Sequence, residues 1–289
     1  MIWNSIFIIM TAVLTLGVIY FGGLKKAFCL MVFLLPATGF YVDVGFSLLA
    51  SRIVGLTICL YIMWAWLKNG IGDIIQFLAL IFLVYAAVIT TIGSIMAPST
   101  PLDTSEFRVQ MRPYLQWMSL SLSMLPVFAT PIILTTEKDI LATVKAFWWG
   151  TGLLAIGGLI QWFVYWAWGI NIFPIYREGL FGTVKDAGLF MLNDSWIFRA
   201  NSFAREPKDM AVILLLSGII WLILKSMGVI RSNVISYFFL GIVISAALLS
   251  FATTGIFMLV VGMGSLVVGF LLKRLIGIKK SYLIRGEKY

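Results

Sequence analysis

Apolar runs as long as a membrane-spanning helix recur along this chain and constrain its fold more than any other feature. The hydrocarbon core of a bilayer is crossed by about 20 helical residues. The mean hydropathy is +1.03 and 11% of the residues are charged, too little charge to cover a soluble domain of 289 residues. The apolar runs are continuous and do not alternate between apolar and polar residues, which favours transmembrane helices over a β-barrel. The sequence therefore predicts an all-α polytopic transmembrane bundle, a single domain over residues 1–289.

About nine spans are predicted, separated by polar turns or by proline-containing loops. The second span is the weakest, because Pro36 and Gly39 interrupt it and Asp43 lies near its end, so a re-entrant or kinked segment is an alternative there. The amino terminus lacks the features of a signal peptide and is interpreted as the first span. The predicted spans are Trp3–Phe21, Ala27–Phe46, Ile53–Leu67, Ile74–Met96, Tyr114–Leu134, Ile140–Trp166, Pro207–Ile230, Val234–Phe251 and Gly255–Leu272.

The distribution of basic residues predicts the orientation of the bundle. Most of the 21 Lys and Arg residues fall on the side that also holds the carboxyl terminus, and basic residues are enriched in cytoplasmic loops. The amino terminus is therefore expected outside and the carboxyl terminus inside. The outer side carries loops 97–113 and 169–206, while the basic tail 273–289 is expected to lie along anionic membrane lipid. This positive charge is a topology signal and predicts no nucleic-acid partner.

The polar, basic stretch Arg199–Ala211 lies between two apolar regions and opens the seventh span. Pro207 suits the first turn of a helix, whose positive dipole end then faces outward. Arg205 and Lys208 flank that end, and Arg199 is expected to fold over the same point. Free backbone N–H groups and several cations together favour binding of phosphate or pyrophosphate. The alternative is that these cations pair with neighbouring carboxylates and lipid headgroups, and spacing alone supports both interpretations equally.

Other residue types exclude several kinds of chemistry. Histidine is absent, which removes the commonest general base and metal ligand. Cys29 and Cys59 fall inside apolar runs and are expected to be inert thiols without a disulfide or a metal. The predicted spans carry no acidic residue near their middle, which argues against an ion-driven carrier. We expect neither a metal nor a cofactor.

The pattern Arg199-x-x-x-Phe203-x-x-Glu206-Pro207-x-x-x-Ala211, opening a transmembrane helix after an aromatic-rich loop, resembles the O-antigen ligase/polymerase family. The order of other features is similar as well. These are Leu34-Leu35-Pro36 in an early span, Arg52 before an apolar helix, and the stretch Ser250-Phe-Ala-Thr-Thr-Gly255 after the motif.

The resemblance implies a glycosyltransferase of the bacterial inner membrane that acts at the periplasmic face. Members of the family move glycan from an undecaprenyl-pyrophosphate carrier to another glycan or to a lipid A core, with the pyrophosphate held by outer-face arginines without metal. Carried over by motif, Arg199 and Arg205 are the expected pyrophosphate contacts, and Arg177 and Lys208 are nearby additions. The implied partners are the lipid-linked glycan and other polysaccharide-assembly proteins.

Two departures from the family pattern concern catalysis. Members continue with a second large outer loop, where ligases usually place a histidine, whereas this sequence stops at Tyr289 and its Ser250–Gly255 stretch lacks the expected arginine. We favour a truncated or split form completed by a C-terminal polypeptide. The alternative is a shorter relative with a carboxylate as general base, for which Glu206 is the first candidate and Glu178 and Asp186 the others.

Polymerase and ligase activities are not distinguished by these residues. Two different functions also stay open. One is a flippase or exporter subunit for lipid-linked oligosaccharide, which needs a polar path through the spans. The other is a non-catalytic membrane assembly subunit.

Overall fold

A computed structural model describes residues 2–39, 41–43, 47–69, 74–96, 106–173, 176–178, 184–186, 188–192, 195–226 and 234–252, with residues 257, 260, 261 and 264. Its helices are α1 (Ile2–Leu34), α2 (Ala50–Asn69), α3 (Ile74–Met96), α4 (Glu106–Ser123), α5 (Leu125–Ile133), α6 (Glu137–Trp168), α7 (Pro207–Ser226) and α8 (Val234–Leu249). Its strands form the antiparallel pairs β1 (Tyr41–Asp43) with β2 (Ser47–Leu49), β3 (Tyr176–Glu178) with β4 (Val184–Asp186), and β5 (Leu189–Leu192) with β6 (Ser195–Phe198).

The predicted class, a bundle of apolar helices, is observed. Within the described ranges, five helical segments are long and apolar enough to cross a bilayer, and two shorter helical segments are also apolar. The predicted ninth span and the basic tail fall outside the described residues, except for four isolated positions in the span. The five longer segments are Ile6–Leu34, Gln76–Ile95, Pro113–Ile133, Glu137–Trp168 and Pro207–Lys225, and the shorter ones are Ala50–Cys59 and Val234–Leu249.

The first two predicted spans are joined in α1, which is kinked at Gly23. This glycine has φ 75° and ψ 173°, a conformation that breaks the helix and that a residue with a side chain rarely adopts. The helix then ends at Leu34, shortly before Pro36, and the β1–β2 hairpin follows. Ala27–Phe46 is therefore not one helix, and the kinked or re-entrant alternative describes it better.

The polar loop predicted over 97–113 is shorter than expected, because α4 begins at Glu106 and includes Pro113. Residues 97–105 lie outside the described part of the chain. The predicted fifth span is interrupted at Met124, which separates α4 from α5. By contrast, α3 has the predicted bounds, and α7 begins at the predicted Pro207.

Helix α6 is central to the packing, because α1, α7 and α8 all contact it. At its start, the Thr136 side chain accepts a hydrogen bond from the backbone N–H of Asp139, and the Asp139 side chain accepts one from the backbone N–H of Thr136. At its end, Gly169 adopts the left-handed conformation. Between α6 and α7 the hydroxyls of Thr151 and Ser217 lie 2.9 Å apart, the kind of interhelical hydrogen bond found between membrane helices.

Two ends of the bundle can be distinguished along α6. At one end, Lys25 of α1 forms an exposed ion pair with Asp139, with 2.6 Å between Nζ and Oδ2. A straight helix rises about 33 Å from Asp139 to Gln161, close to the thickness of a bilayer core. The turn that contains the predicted anion site packs against Gln161. The site is therefore about one membrane thickness away from the Lys25 end.

Candidate anion-binding site

The turn formed by Arg199–Glu206 is held against α6 by the side chain of Gln161, which is fully buried. Gln161 Oε1 accepts hydrogen bonds from the backbone N–H groups of Asn201 (3.0 Å) and Ser202 (2.7 Å). Its Nε2 donates to the side-chain oxygens of Asn201 (2.9 Å) and Asn171 (2.8 Å). Buried polar groups need such partners, and a network that supplies them fixes the turn in one position.

The same turn is bonded to three other parts of the chain. These contacts connect it to the end of α1, to the end of α8 and to the turn before β5, so that it lies at a junction of elements far apart in sequence. The bonds are Gly39 N to Phe203 O (2.7 Å), Arg205 N to Thr38 Oγ1 (2.9 Å), Ala200 N to Leu249 O (3.2 Å) and Arg199 N to Gly188 O (2.7 Å).

Four basic residues belong to this junction, two from the turn and one each from α2 and α7, and we call them the cationic cluster: Arg52, Arg199, Arg205 and Lys208. Arg52 comes from the first turn of α2, where its guanidinium donates to Ser123 Oγ at 2.8 Å. Arg205 lies over the ring of Tyr41 in β1, with 4.9 Å from Cζ to the ring centroid, a favourable cation–π distance. Lys208 belongs to the first turn of α7.

Electrostatic effects show that these groups influence one another. Burial lowers the pKa of the Arg52 guanidinium, and the positive charge of Arg205 lowers that pKa further. Burial also lowers the pKa of Arg199, while the carboxylate of Glu206 acts in the opposite direction. Arginine stays protonated in proteins, so the two guanidinium groups of Arg52 and Arg205 repel each other at a partly buried place. An anion bound between them would reduce that repulsion.

The carboxylates of the site balance part of this charge. Glu206 Oε2 lies 3.0 Å from Lys208 Nζ, and the carboxylate is mostly buried whereas the lysine is exposed. Asp209 is the acidic residue in the first turn of α7. Four cations and two carboxylates leave a net charge of +2 among these six side chains at neutral pH. An excess of positive charge of this size attracts anions.

The predicted site residues are brought together in part. Arg199, Arg205 and Lys208 belong to the cationic cluster, and Glu206 interacts with Arg199 and Lys208. This arrangement is compatible with the anion site, and it also includes the carboxylate pairing given as the alternative. Glu206, which was predicted as a general base, forms an ion pair with Lys208. Arg177 lies in β3 opposite Lys185 of β4, and its side chain lies outside the described part of the structure.

Two contributors were not among the predicted site residues. Arg52 entered the sequence analysis only through the family resemblance, as an arginine before an apolar helix, and that resemblance was the signal that could have placed it with Arg199 and Arg205. Gln161 was visible only as a polar residue near the end of a span. Its contacts with Asn201 and Ser202 connect positions distant in sequence, for which the sequence contains no local signal.

Close approach of the turn to α6 requires glycine at position 157. A Cβ placed there would lie 2.4 Å from Ser202 Oγ and 3.1 Å from the ring of Phe203. Ser202 has little freedom to move away, because it is fully buried and its backbone is in the left-handed region with φ 49°.

We expect Gly157→Ala to destabilise the protein by about 1–3 kcal/mol through overpacking, although alanine favours the helix by up to about 1 kcal/mol. Thermal unfolding in detergent measures the effect as a lower Tm. Gly93→Ala in α3 is the matched control, because a Cβ there would meet no atom within 4 Å. A Tm for Gly157→Ala equal to or above that of Gly93→Ala would contradict this packing.

Comparisons of the chain with protein-family models, with curated proteins and with solved structures found no match. The functional interpretation therefore depends on the geometry of the cationic cluster and on the motif that contributes most of its residues.

Proposed function

We propose that this protein transfers or polymerises glycan from an undecaprenyl-pyrophosphate-linked donor at the periplasmic face of a bacterial inner membrane, in the assembly of O-antigen, capsule or exopolysaccharide. The proposal includes about nine spans, with the amino terminus outside and the carboxyl terminus inside. The cationic cluster binds the pyrophosphate of the donor and needs no metal.

The proximity of Arg52 to Arg205, just before the start of α7, is the observation that carries this proposal. Arg52 and Arg205, from two distant segments, lie close enough for their charges to interact, and Arg199 interacts with Glu206, the residue after Arg205. The first turn of α7, which presents the positive end of its dipole, follows directly in the chain. This arrangement provides charge and directed N–H donors together, the combination that binds phosphate groups most strongly.

The position of the cluster within the bundle also supports the proposal. The turn meets α6 at Gln161, and α6 continues to Trp168 with a series of aromatic side chains beyond it. Trp166 and Trp168 are largely exposed, as expected for aromatic residues at a membrane surface. Gln161 precedes Trp166 by about 8 Å of helix rise, and this separation is compatible with a headgroup whose lipid stays in the bilayer.

Fixed cations contribute to transfer by stabilising the leaving group. In the reaction, an acceptor hydroxyl forms a bond to the anomeric carbon, while the bond from that carbon to the pyrophosphate oxygen breaks. The carrier pyrophosphate leaves with additional negative charge, which cations already in position stabilise without reorganisation. The proton of the hydroxyl passes to a general base. In a split form a complementary C-terminal polypeptide supplies that base, and in a form that acts alone Glu206 is the proposed carboxylate.

Transfer in proteoliposomes by the protein, alone and together with a complementary C-terminal polypeptide, tests this proposal. The donor is the lipid-linked glycan extracted from the source strain, and gel analysis of the labelled glycan measures its lengthening. We expect transfer by the wild type and a loss of at least a hundredfold in Arg199→Ala, because the leaving group loses one of its cations. Lys145→Ala, which removes an exposed charge elsewhere on α6, is the matched control and should transfer normally.

Cells lacking the protein provide a second readout. Complementation by Arg199→Ala should leave surface glycan short although the variant is inserted in the membrane. Glycan of normal length in both Arg199→Ala and Arg205→Ala cells would refute the proposal. Build-up of lipid-linked oligosaccharide on the cytoplasmic face of cells lacking the protein would identify a flippase instead.

A further inference from the structure

The β1–β2 hairpin lies against Arg205 and leads directly into α2. The ring of Tyr41, the first residue of β1, has its centroid 4.9 Å from the guanidinium carbon Cζ of Arg205. Strand β2 ends at Leu49 and α2 begins at Ala50, so Arg52 follows the hairpin within one helical turn. One short segment of the chain therefore brings both an aromatic ring and a second arginine to Arg205.

The packing of the hairpin holds Tyr41 in place. Tyr41 is partly buried and pairs with Leu49 in the antiparallel ladder, and the residues on either side of Leu49 are buried. The same segment also holds the backbone of the arginine, because Thr38 Oγ1 accepts a hydrogen bond from the N–H of Arg205 at 2.9 Å. The ring and the backbone of Arg205 are thus both tied to residues 38–41.

A like charge makes the position of the Arg205 side chain unfavourable by itself. Arg52 and Arg205 are close enough for their charges to interact. Their repulsion favours side-chain rotamers that move the two groups apart. The face of an aromatic ring is negative and attracts a guanidinium within about 6 Å of its centroid. The ring of Tyr41 therefore stabilises the arrangement that the repulsion destabilises.

We propose that Tyr41 is a positioning residue, whose ring holds the guanidinium of Arg205 beside Arg52 so that the two are preorganised for a phosphate-containing anion. The inference rests on the proposed function, in which the cationic cluster binds pyrophosphate, and adds the group that prepares the cluster. A preorganised donor binds more tightly because the ligand does not have to order it. The role belongs to the face of the ring and does not require the Tyr41 hydroxyl.

Binding of inorganic pyrophosphate to the protein in nanodiscs measures this role. We expect Tyr41→Leu to raise the Kd about tenfold, within the range of a partly desolvated cation–π contact. Tyr41→Phe keeps the ring face and should bind within about twofold of the wild type. A loss in Tyr41→Phe as large as that in Tyr41→Leu would assign the effect to the hydroxyl and overturn the proposal.

Fluorinated phenylalanines at position 41 separate the cation–π contact from packing. Fluorine is close to hydrogen in size but withdraws electron density from the ring face, so each added fluorine weakens the attraction for a cation. We expect the Kd to rise stepwise from phenylalanine through its mono-, di- and trifluoro forms. An equal Kd across this series would show that the ring acts by packing alone and would overturn the proposal, even where Tyr41→Leu does not fold.

Tyr165 of α6 is the matched control for the fluorinated series. Its described ring contact is with another aromatic ring, since it stacks on Phe198 with 3.9 Å between the centroids. The same series at position 165 should leave the Kd for pyrophosphate unchanged. A rise equal to that at position 41 would trace the effect to general packing of aromatic rings and contradict a role specific to Tyr41.

The outcomes also separate this inference from the proposed function. A wild type that binds pyrophosphate with a Kd insensitive to the ring at position 41 overturns the positioning role, while the binding itself still supports the cationic cluster. Failure of the wild type to bind pyrophosphate refutes both the positioning role and the function on which it rests.

Discussion

Arg205→Ala is expected to abolish glycan transfer while the protein stays folded and inserted. The substitution removes the guanidinium that lies over Tyr41 and beside Arg52, but its backbone N–H still donates to Thr38. Loss of one fixed donor to a developing negative charge typically reduces the rate about 10²–10³-fold. Transfer in proteoliposomes measures this loss, and the Tm checks that the fold is intact.

Arg205→Lys distinguishes geometry from charge at this position. Lysine keeps the positive charge but loses the planar fork, which binds two oxygen atoms at once and stacks on an aromatic ring. We expect an intermediate rate, between those of Arg205→Ala and the wild type. Wild-type rates in both variants would show that Arg205 has no contact with the reacting pyrophosphate. A simultaneous large fall in Tm would indicate a structural role instead.

Gln161→Leu is expected to release the turn Arg199–Glu206 from α6. Leucine has a similar size, but it leaves the backbone N–H groups of Asn201 and Ser202 buried without their acceptor. Each such group costs about 1–3 kcal/mol, so the free energy of unfolding should fall by about 2–6 kcal/mol for the two groups. Amide hydrogen exchange of the peptide over residues 199–206 should become faster, and transfer should decrease with it.

The matched control is the other buried glutamine with a described hydrogen bond, Gln76 of α3. Its Nε2 donates to the backbone oxygen of Phe128 at 2.7 Å, away from the turn. Gln76→Leu should lower stability without changing exchange at 199–206, since it leaves the N–H groups of the turn paired. Unchanged exchange in Gln161→Leu would show that the turn is held by its other bonds, and Gln161 would then not be a positioning residue.

The membrane-bundle class and several helix bounds were predictable from the sequence because their causes are local. Apolar length determines α3 and α6, and Pro207 starts α7 because its missing N–H costs nothing in a first turn. Pro36 indicated a weak point in the second predicted span, and α1 ends close to it. The three hairpins were not predicted, since strands of three or four residues have little periodicity to recognise.

The candidate site could be predicted where its residues are adjacent in sequence. The sequence analysis identified Arg199, Arg205, Glu206 and Lys208 because they form a polar, basic stretch between apolar spans. Such a stretch needs an anion or neighbouring carboxylates to balance its charge. Arg52 was separate from them in the sequence, and its proximity to Arg205 depends on how α2 packs beside the end of α1.

The amino-acid sequence by itself determined that the chain forms apolar helices and that a basic stretch opens α7. These properties are local, because an apolar segment in a bilayer must satisfy its own backbone hydrogen bonds and therefore forms a helix whatever the other segments do. The tertiary structure alone decided what surrounds that stretch: Gln161 fixes its depth, Arg52 joins its charge, and the ring of Tyr41 lies against Arg205. These contacts join residues far apart in the chain, and only the packing of the helices brings them within reach of one another.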